Sequence, residues 1–146
     1  INTRFIELAG EINHYMPQWV VGKVMDALND RGKALKGSHI LVLGLAYKKN
    51  IDDTRESPAV EIMDLLQDKG AEVAYSDPHV PKFPRKRDYH VDLRAVAVTC
   101  ESMSSYDGRV LATDHDGFDY AQLLQHAQLI VDTRGRLPAH AYVVPA

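Results

Sequence analysis

The chain alternates between stretches whose apolar residues recur at helical offsets and short runs where they are nearly continuous. Over residues 5–12 the apolar positions are Phe5, Leu8, Ala9 and Ile12, one face of a helix. Pro17 then interrupts, and proline suits the first turn of a helix because the N–H it lacks has no partner there. Val21, Val24, Met25 and Leu28 resume the same offsets, and Gly32 stands where a left-handed residue closes a helix. The pattern predicts a helix, a break or kink at Pro17, and a second helix. After a connection over 33–37, residues 38–43 read as a strand whose apolar run implies burial on both faces of a parallel sheet. Gly44 ends it. Ser57 reads as an N-cap and Pro58 as the first residue of a helix with the stripe Ala59, Ile62, Met63 and Leu66, which Gly70 closes. Ala71 to Tyr75 is a second short strand, so residues 38–75 form a β-α-β unit with parallel strands.

The second half is less regular. Ser76-Asp77-Pro78 breaks the second strand, and residues 78–90 show no period. They read as a long loop carrying Lys82, Arg85, Lys86 and Arg87, either an anion site or a solvated surface. Residues 95–99 form a weak strand, 101–106 a short helix, and Arg109 to Thr113 a further strand. Tyr120, Leu123, Leu124 and Ala127 make a third helical stripe. Leu129 to Asp132 is a last buried strand, followed by Thr133-Arg134-Gly135-Arg136. Strands alternating with helices predict an α/β fold: a doubly wound, mostly parallel sheet in a three-layer, Rossmann-like domain over residues 32–146, preceded by a helical segment over 1–31.

Composition narrows the function classes. A length of 146 residues suits one domain, and 45% hydrophobic residues supply a core. A net charge of -3 argues against a general binder of nucleic acid or membrane surfaces. The one cysteine, Cys100, excludes an intramolecular disulfide and fits a reducing compartment. With no signal-peptide pattern and no apolar run of the ~18 residues that span a bilayer, a cytoplasmic location is expected. The start at Ile1, already in helical pattern, is read as a segment cut from a longer polypeptide.

The densest chemistry lies between the first strand and its helix. Lys48, Lys49, Asp52, Asp53 and Arg55 fall within eight positions just past a strand's carboxyl end, where open α/β sheets bind ligands. The lysines suit a phosphate or a sugar hydroxyl, or are solvated. Arg55 precedes the helix N-terminus, where it either helps hold an anion or pairs with Asp52, Asp53 or Glu56. Arg134 follows the last buried strand. If that strand is parallel to the first, Arg134 faces the Lys48 loop across a crevice. Asp114-His115-Asp116 has metal-ligand chemistry without further ligands at useful spacing, so no metal is expected. Cys100 lacks a nucleophile's surroundings, there is no Ser-centred elbow, and no G-x-G-x-x-G follows the first strand.

Gly44-Leu45-Ala46-Tyr47-Lys48, Asp52-Asp53-Thr54-Arg55-Glu56-Ser57-Pro58, Gly70-Ala71-Glu72-Val73 and Asp77-Pro78-His79-Val80, in this order, resemble the C-terminal domain of the UDP-glucose/GDP-mannose dehydrogenase family. The resemblance runs from about residue 10 to residue 135. It implies an enzyme with an NAD-binding N-terminal domain, a central helix used in dimerisation, and this domain binding the UDP part of the substrate. Residues 1–31 are then the end of the central helical region and the lead-in helix. By motif position, Lys48 resembles the lysine that contacts the UDP-sugar, with Tyr47 in the place usually held by Phe. Arg55 resembles the arginine that reaches NAD, and Arg134 the arginine on the nucleotide-sugar side. Gly135 stands where the favoured branch usually has Asn.

The family reaction oxidises a C6 hydroxymethyl group to a carboxylate with two NAD, through an aldehyde held on a catalytic cysteine in a Gly-Gly-His-Cys type loop. That loop and its lysine and asparagine partners do not occur in this sequence, so no catalytic residue is assigned and the isolated 146 residues are expected to be inactive. Asn13 with Met16-Pro17, and the run from Thr113 to Tyr120, resemble the N-acetylhexosamine branch, most of all UDP-N-acetylglucosamine 6-dehydrogenases of polysaccharide synthesis. UDP-N-acetylmannosamine and UDP-glucose 6-dehydrogenases are the alternatives. A non-catalytic nucleotide-binding or assembly module is the rival from another class, and an S-adenosyl-binding methyltransferase domain is a third. The partners implied are the UDP-sugar, the other domains of the parent chain and a further copy of it.

Overall fold

The computed structural model describes residues 3–45, 58–77, 105–113, 115, 118, 120–121, 129–137 and 143–145, with side chains from residue 16 onward. Its elements in chain order are α1 (Thr3–Asp30), β1 (His39–Leu43), α2 (Pro58–Asp68), β2 (Glu72–Ser76), β3 (Gly108–Leu111), β4 (Ile130–Asp132) and β5 (Val143–Pro145). The strands form one sheet in the order β2-β1-β3-β4-β5, and every pairing is parallel. The chain runs outward in one direction from β1 to β2 and in the other from β3 to β5. The two directions diverge between β1 and β3, the position at which doubly wound sheets open a ligand crevice beyond their carboxyl ends.

Alternation along the strands sorts the core into two faces. Ile40, Val42, Val73, Tyr75, Val110, Ala112 and Val131 pack with Val20, Val21, Val24 and Leu28 of α1 and Ala59, Ile62, Met63 and Leu66 of α2. Leu41, Leu43, Leu111 and Ile130 face the other way, against Phe118 and Leu137. Strands buried on both faces explain the near-continuous apolar runs of β1 and β4.

Both helices stop by the same geometry. Gly32 (φ 73°) and Gly70 (φ 91°) take the left-handed conformation. In α1, Lys33 N donates to Leu28 O and Gly32 N to Asn29 O; in α2, Ala71 N donates to Leu66 O and Gly70 N to Gln67 O. This double closure satisfies carbonyls left over at a helix end.

Two expectations are corrected. Pro17 does not separate two helices: it lies inside α1, which runs unbroken from Thr3 to Asp30. The Pro17 side chain is buried, and packing outweighs the loss of one intrahelical bond. Leu129–Asp132 is not the last strand, because β5 adds a parallel partner to β4. It ends in Pro145, which an edge strand tolerates since one side of its ladder is unpaired. In the short helix expected over 101–106, Ser105 and Tyr106 are not helical, and 101–104 lie outside the described residues. So do the basic loop, the weak strand over 95–99, Cys100 and most of the third helical stripe, of which Tyr120 and Ala121 are helical.

Candidate functional site

Because β2, β1, β3 and β4 are parallel, their carboxyl ends open on one edge of the sheet. The segment that follows each strand is tied to its neighbour. Gly44 N donates to Ser76 O at 2.8 Å, joining the exits of β1 and β2. Ala112 N and Thr113 N both donate to Leu43 O, at 2.9 and 3.2 Å, joining β3 to β1. Thr133 donates to Leu111 O from its amide at 3.2 Å and from Oγ1 at 2.7 Å, joining β4 to β3. Gly44 (φ 87°) carries the chain across the switch point.

Two carboxylates organise this edge. Asp132 ends β4, is 3% exposed, and accepts the amides of the next turn: Arg134 N at 2.9 Å and Gly135 N at 3.0 Å on Oδ1, Leu137 N at 2.9 Å on Oδ2. It works as a backbone anchor, not as a proton donor to a ligand. Gly135 has φ 67° with open space at its missing Cβ, a conformation that asparagine tolerates better than other side chains. A glycine in place of the usual Asn therefore keeps the turn.

Asp77 follows β2. Its Oδ2 accepts Leu45 N at 2.7 Å and meets His115 Nε2 at 2.8 Å, with both side chains fully buried. His115 O accepts the Tyr120 hydroxyl at 2.6 Å. The His115 ring lies 5.8 Å from Phe118, which meets Tyr120 edge-on at 6.2 Å, and the Arg136 guanidinium sits 4.6 Å over Tyr120. Burial, and secondarily the charge of Asp77, push the Tyr75 phenol up to about 12, so it is neutral at physiological pH.

Of the sequence-predicted site residues, Arg134 is described. It is exposed at this edge, and its Nε donates to Ala112 O at 2.8 Å. That bond uses one of the guanidinium's five donors and fixes its stem beside the exit of β3. β4 is parallel to β1 through β3, so Arg134 and Leu45 leave the sheet at the same edge. Tyr47, Lys48 and Arg55 lie outside the described residues, which fix the loop's two flanks, Leu45 and Pro58. Among the described residues no cluster of ligating side chains could hold a metal ion. His115, weighed in the sequence as one member of an Asp-His-Asp triplet, is engaged with Asp77 instead.

Sequence reasoning missed the Asp77–His115 pair and Arg109. Arg109 is 1% exposed, and its Nη2 donates to Tyr106 O at 3.2 Å. Burial lowers it to about 10, which leaves it charged at neutral pH. It lies toward the amino end of β3, away from the candidate site, and a charged residue inside an apolar strand was its only signal.

An open, all-parallel sheet with an exposed, backbone-anchored arginine at the carboxyl edge of its strands is a doubly wound α/β domain, a class that binds ligands at that edge. Residues 41–139 match the UDP binding domain of the UDP-glucose/GDP-mannose dehydrogenase family, and the chain belongs to that family. It is 36% identical over 117 residues to the UDP-N-acetyl-D-mannosamine dehydrogenase of Methanococcus maripaludis, covering 80% of this chain and 25% of that one. It is 35% identical over 141 residues to the enzyme of the same name from Escherichia coli, covering 90% and 32%. The UDP-D-ManNAc dehydrogenase structure from Pyrococcus horikoshii superposes with a TM-score of 0.76 at 26% identity, over 96% of this chain and 32% of that one. The chain thus spans about a quarter to a third of the length of these relatives. Among the described residues no helix is long and apolar enough to cross a membrane.

Proposed function

We propose that this chain is the substrate-binding domain of an NAD-dependent nucleotide-sugar 6-dehydrogenase that oxidises C6 of a UDP-N-acetylhexosamine to the uronate in the cytoplasm. The observation that carries the reading is the match of residues 41–139 to the UDP binding domain, with Arg134 exposed at the edge of the sheet where the Lys48 loop begins. Lys48 and Arg134 would hold the UDP-sugar with Tyr47 beside them, and Arg55 would reach toward NAD. Lysine supplies a mobile point charge to a phosphate, and arginine a planar set of donors.

The sugar assignment moves from the N-acetylglucosamine expected on sequence patterns toward N-acetylmannosamine. The curated relatives cited above carry the mannosamine name. The hexosamine class is common to both readings. NAD falls mainly to parts of the parent protein beyond these residues, as does the covalent chemistry.

The test is NADH formation by the complete protein with UDP-N-acetylmannosamine, UDP-N-acetylglucosamine and UDP-glucose. Oxidation of a UDP-N-acetylhexosamine well above UDP-glucose is expected. No turnover of any UDP-sugar would overturn the reading. In the same protein Lys48→Ala should raise KM for the UDP-sugar at least tenfold, from the ~1.5–3 kcal/mol of a charge-assisted hydrogen bond, while KM for NAD moves little. Equal loss of both would remove Lys48 from the UDP-sugar site. The isolated 146 residues should not turn over, and any UDP-sugar oxidation by them would show that the catalytic groups lie within this chain.

A further inference from the structure

We propose that Asp77 and His115 are a positioning pair that sets the UDP site by clamping the exit of β1 from both sides. The inference rests on the reading of this edge as the UDP site. β1 lies between β2 and β3 in the sheet. Asp77 comes from the segment after β2 and His115 from the segment after β3. They meet over the first residue past Gly44: Asp77 Oδ2 takes the Leu45 amide at 2.7 Å and the His115 imidazole at 2.8 Å. Three consecutive strand exits are therefore joined through one oxygen atom.

The position of that oxygen matters because of what is attached to each exit. Leu45 is two residues from Tyr47 and three from Lys48. The exit of β3 contains Ala112, whose carbonyl anchors Arg134 Nε. The pair thus couples the backbone that leads toward Lys48 to the backbone that anchors Arg134. His115 is itself held in place, by the Tyr120 hydroxyl on its carbonyl and by Phe118 against its ring.

Stability alone does not account for such a pair. Both side chains are fully buried, and removing a carboxylate and an imidazole from water costs about as much as their interaction returns. An apolar pair of similar volume would fill the space about as well, apart from the Leu45 N–H, which would lose its acceptor. What an apolar pair cannot supply is direction. The carboxylate fixes where the Leu45 N–H points, and with it the course of the chain toward Lys48. With Asp77 as a carboxylate already accepting Leu45 N–H, His115 contributes its Nε2–H as the second donor.

The test uses the complete protein and three variants: His115→Leu, His115→Gln, which retains an N–H donor, and Asp77→Asn. UDP affinity is measured by calorimetry, with KM for UDP-sugar, KM for NAD and the unfolding midpoint taken alongside. His115→Leu is expected to weaken UDP about tenfold or more and to raise KM for the UDP-sugar in step, as loss of a charge-assisted hydrogen bond predicts. KM for NAD should stay within about twofold, and His115→Gln should recover most of the loss. A lowered unfolding midpoint with unchanged UDP affinity would show a merely structural pair and overturn the proposal. So would equal loss of NAD and UDP-sugar binding that Gln does not rescue. Should His115→Leu fail to fold, Asp77→Asn against His115→Gln carries the same comparison. Hydrogen exchange of the wild-type segment around Leu45, with and without UDP, needs no variant: UDP should slow it, and an unchanged rate overturns the pair's role. A wild-type protein that does not bind UDP at all refutes instead the reading of the edge on which the pair depends.

Discussion

Gly44 and Thr113 touch backbone to backbone at the switch point of the sheet: a Cβ on Gly44 would overlap the Thr113 carbonyl oxygen and come within 2.8 Å of its Cα. Gly44 also has φ 87°, which side-chain-bearing residues avoid. The exits of β1 and β3 can approach this closely only because one of them carries no side chain. Leu45, from which the chain continues toward Lys48, follows one side of this contact, and Ala112, whose carbonyl anchors Arg134, precedes the other.

Gly44→Ala should therefore destabilise the domain by about 2–5 kcal/mol, the sum of ~1–2 kcal/mol for a left-handed non-glycine residue and ~1–3 kcal/mol for overpacking. Urea unfolding measures the loss. Thr113→Ala should not rescue it, because the obstructing carbonyl oxygen and Cα belong to the Thr113 backbone. A neutral Gly44→Ala would mean that the two exits are further apart than described.

Most of the architecture was legible because glycine and proline punctuate it. β1, α2, β2 and β4 fall within a residue or two of the positions their apolar runs imply, and they give way to Gly44, Gly70, Asp77 and the Thr133 turn. Pro17 misled because its local rule describes an isolated helix, whereas α1 is held by Val20, Val21, Val24 and Leu28 against the core. β5 was missed because three residues ending in proline carry almost no periodic signal. Arg134 could be placed by its distance from the end of a strand. Asp77 and His115 could not be paired, since they are 38 residues apart and only sheet order brings them together. In sequence, one reads as a strand breaker before proline and the other as part of a triplet without further ligands.

Asp132 holds the turn that presents Arg134, and its two oxygens do different work. Asp132→Ala removes the acceptor for Arg134 N, Gly135 N and Leu137 N together and should cost on the order of 3 kcal/mol. Asp132→Asn keeps one acceptor oxygen but sets an amide NH2 against Leu137 N–H, so a smaller loss of about 1–2 kcal/mol is expected. Thermal unfolding should rank wild type, Asn and Ala in that order. Ala at or above Asn would show that these amides find water without penalty.

Asp107 makes stability depend on acid. Its Oδ2 accepts His39 N at 2.8 Å and its Oδ1 pairs with Lys33 Nζ at 2.9 Å, tying the segment after α1 to the approach to β3. The His39 amide, and secondarily Lys33, hold the Asp107 carboxyl below its ordinary value of 3.8. A depressed carboxyl stabilises the fold above the unfolded value and loses that contribution as pH falls through the folded one. The difference in stability between wild type and Asp107→Asn should thus be on the order of 1 kcal/mol at neutral pH and shrink on acidification below pH 3.8. Urea midpoints at neutral and acid pH measure it, and a constant difference would deny the carboxylate its part.

Arg134 separates binding from folding. The residue is exposed, its backbone is set by Asp132, and one guanidinium nitrogen is committed to Ala112 O. Arg134→Ala leaves the Asp132 anchor intact, so the unfolding free energy should change by less than about 1 kcal/mol while UDP affinity in the complete protein falls tenfold or more. Arg134→Lys keeps the charge but has no Nε donor to place the head group from Ala112, and it cannot offer two parallel N–H groups to a phosphate. It should therefore recover less than half of the lost binding free energy. If lysine restored binding fully, charge alone would suffice at this position, and the Ala112 anchor would serve the turn rather than the ligand.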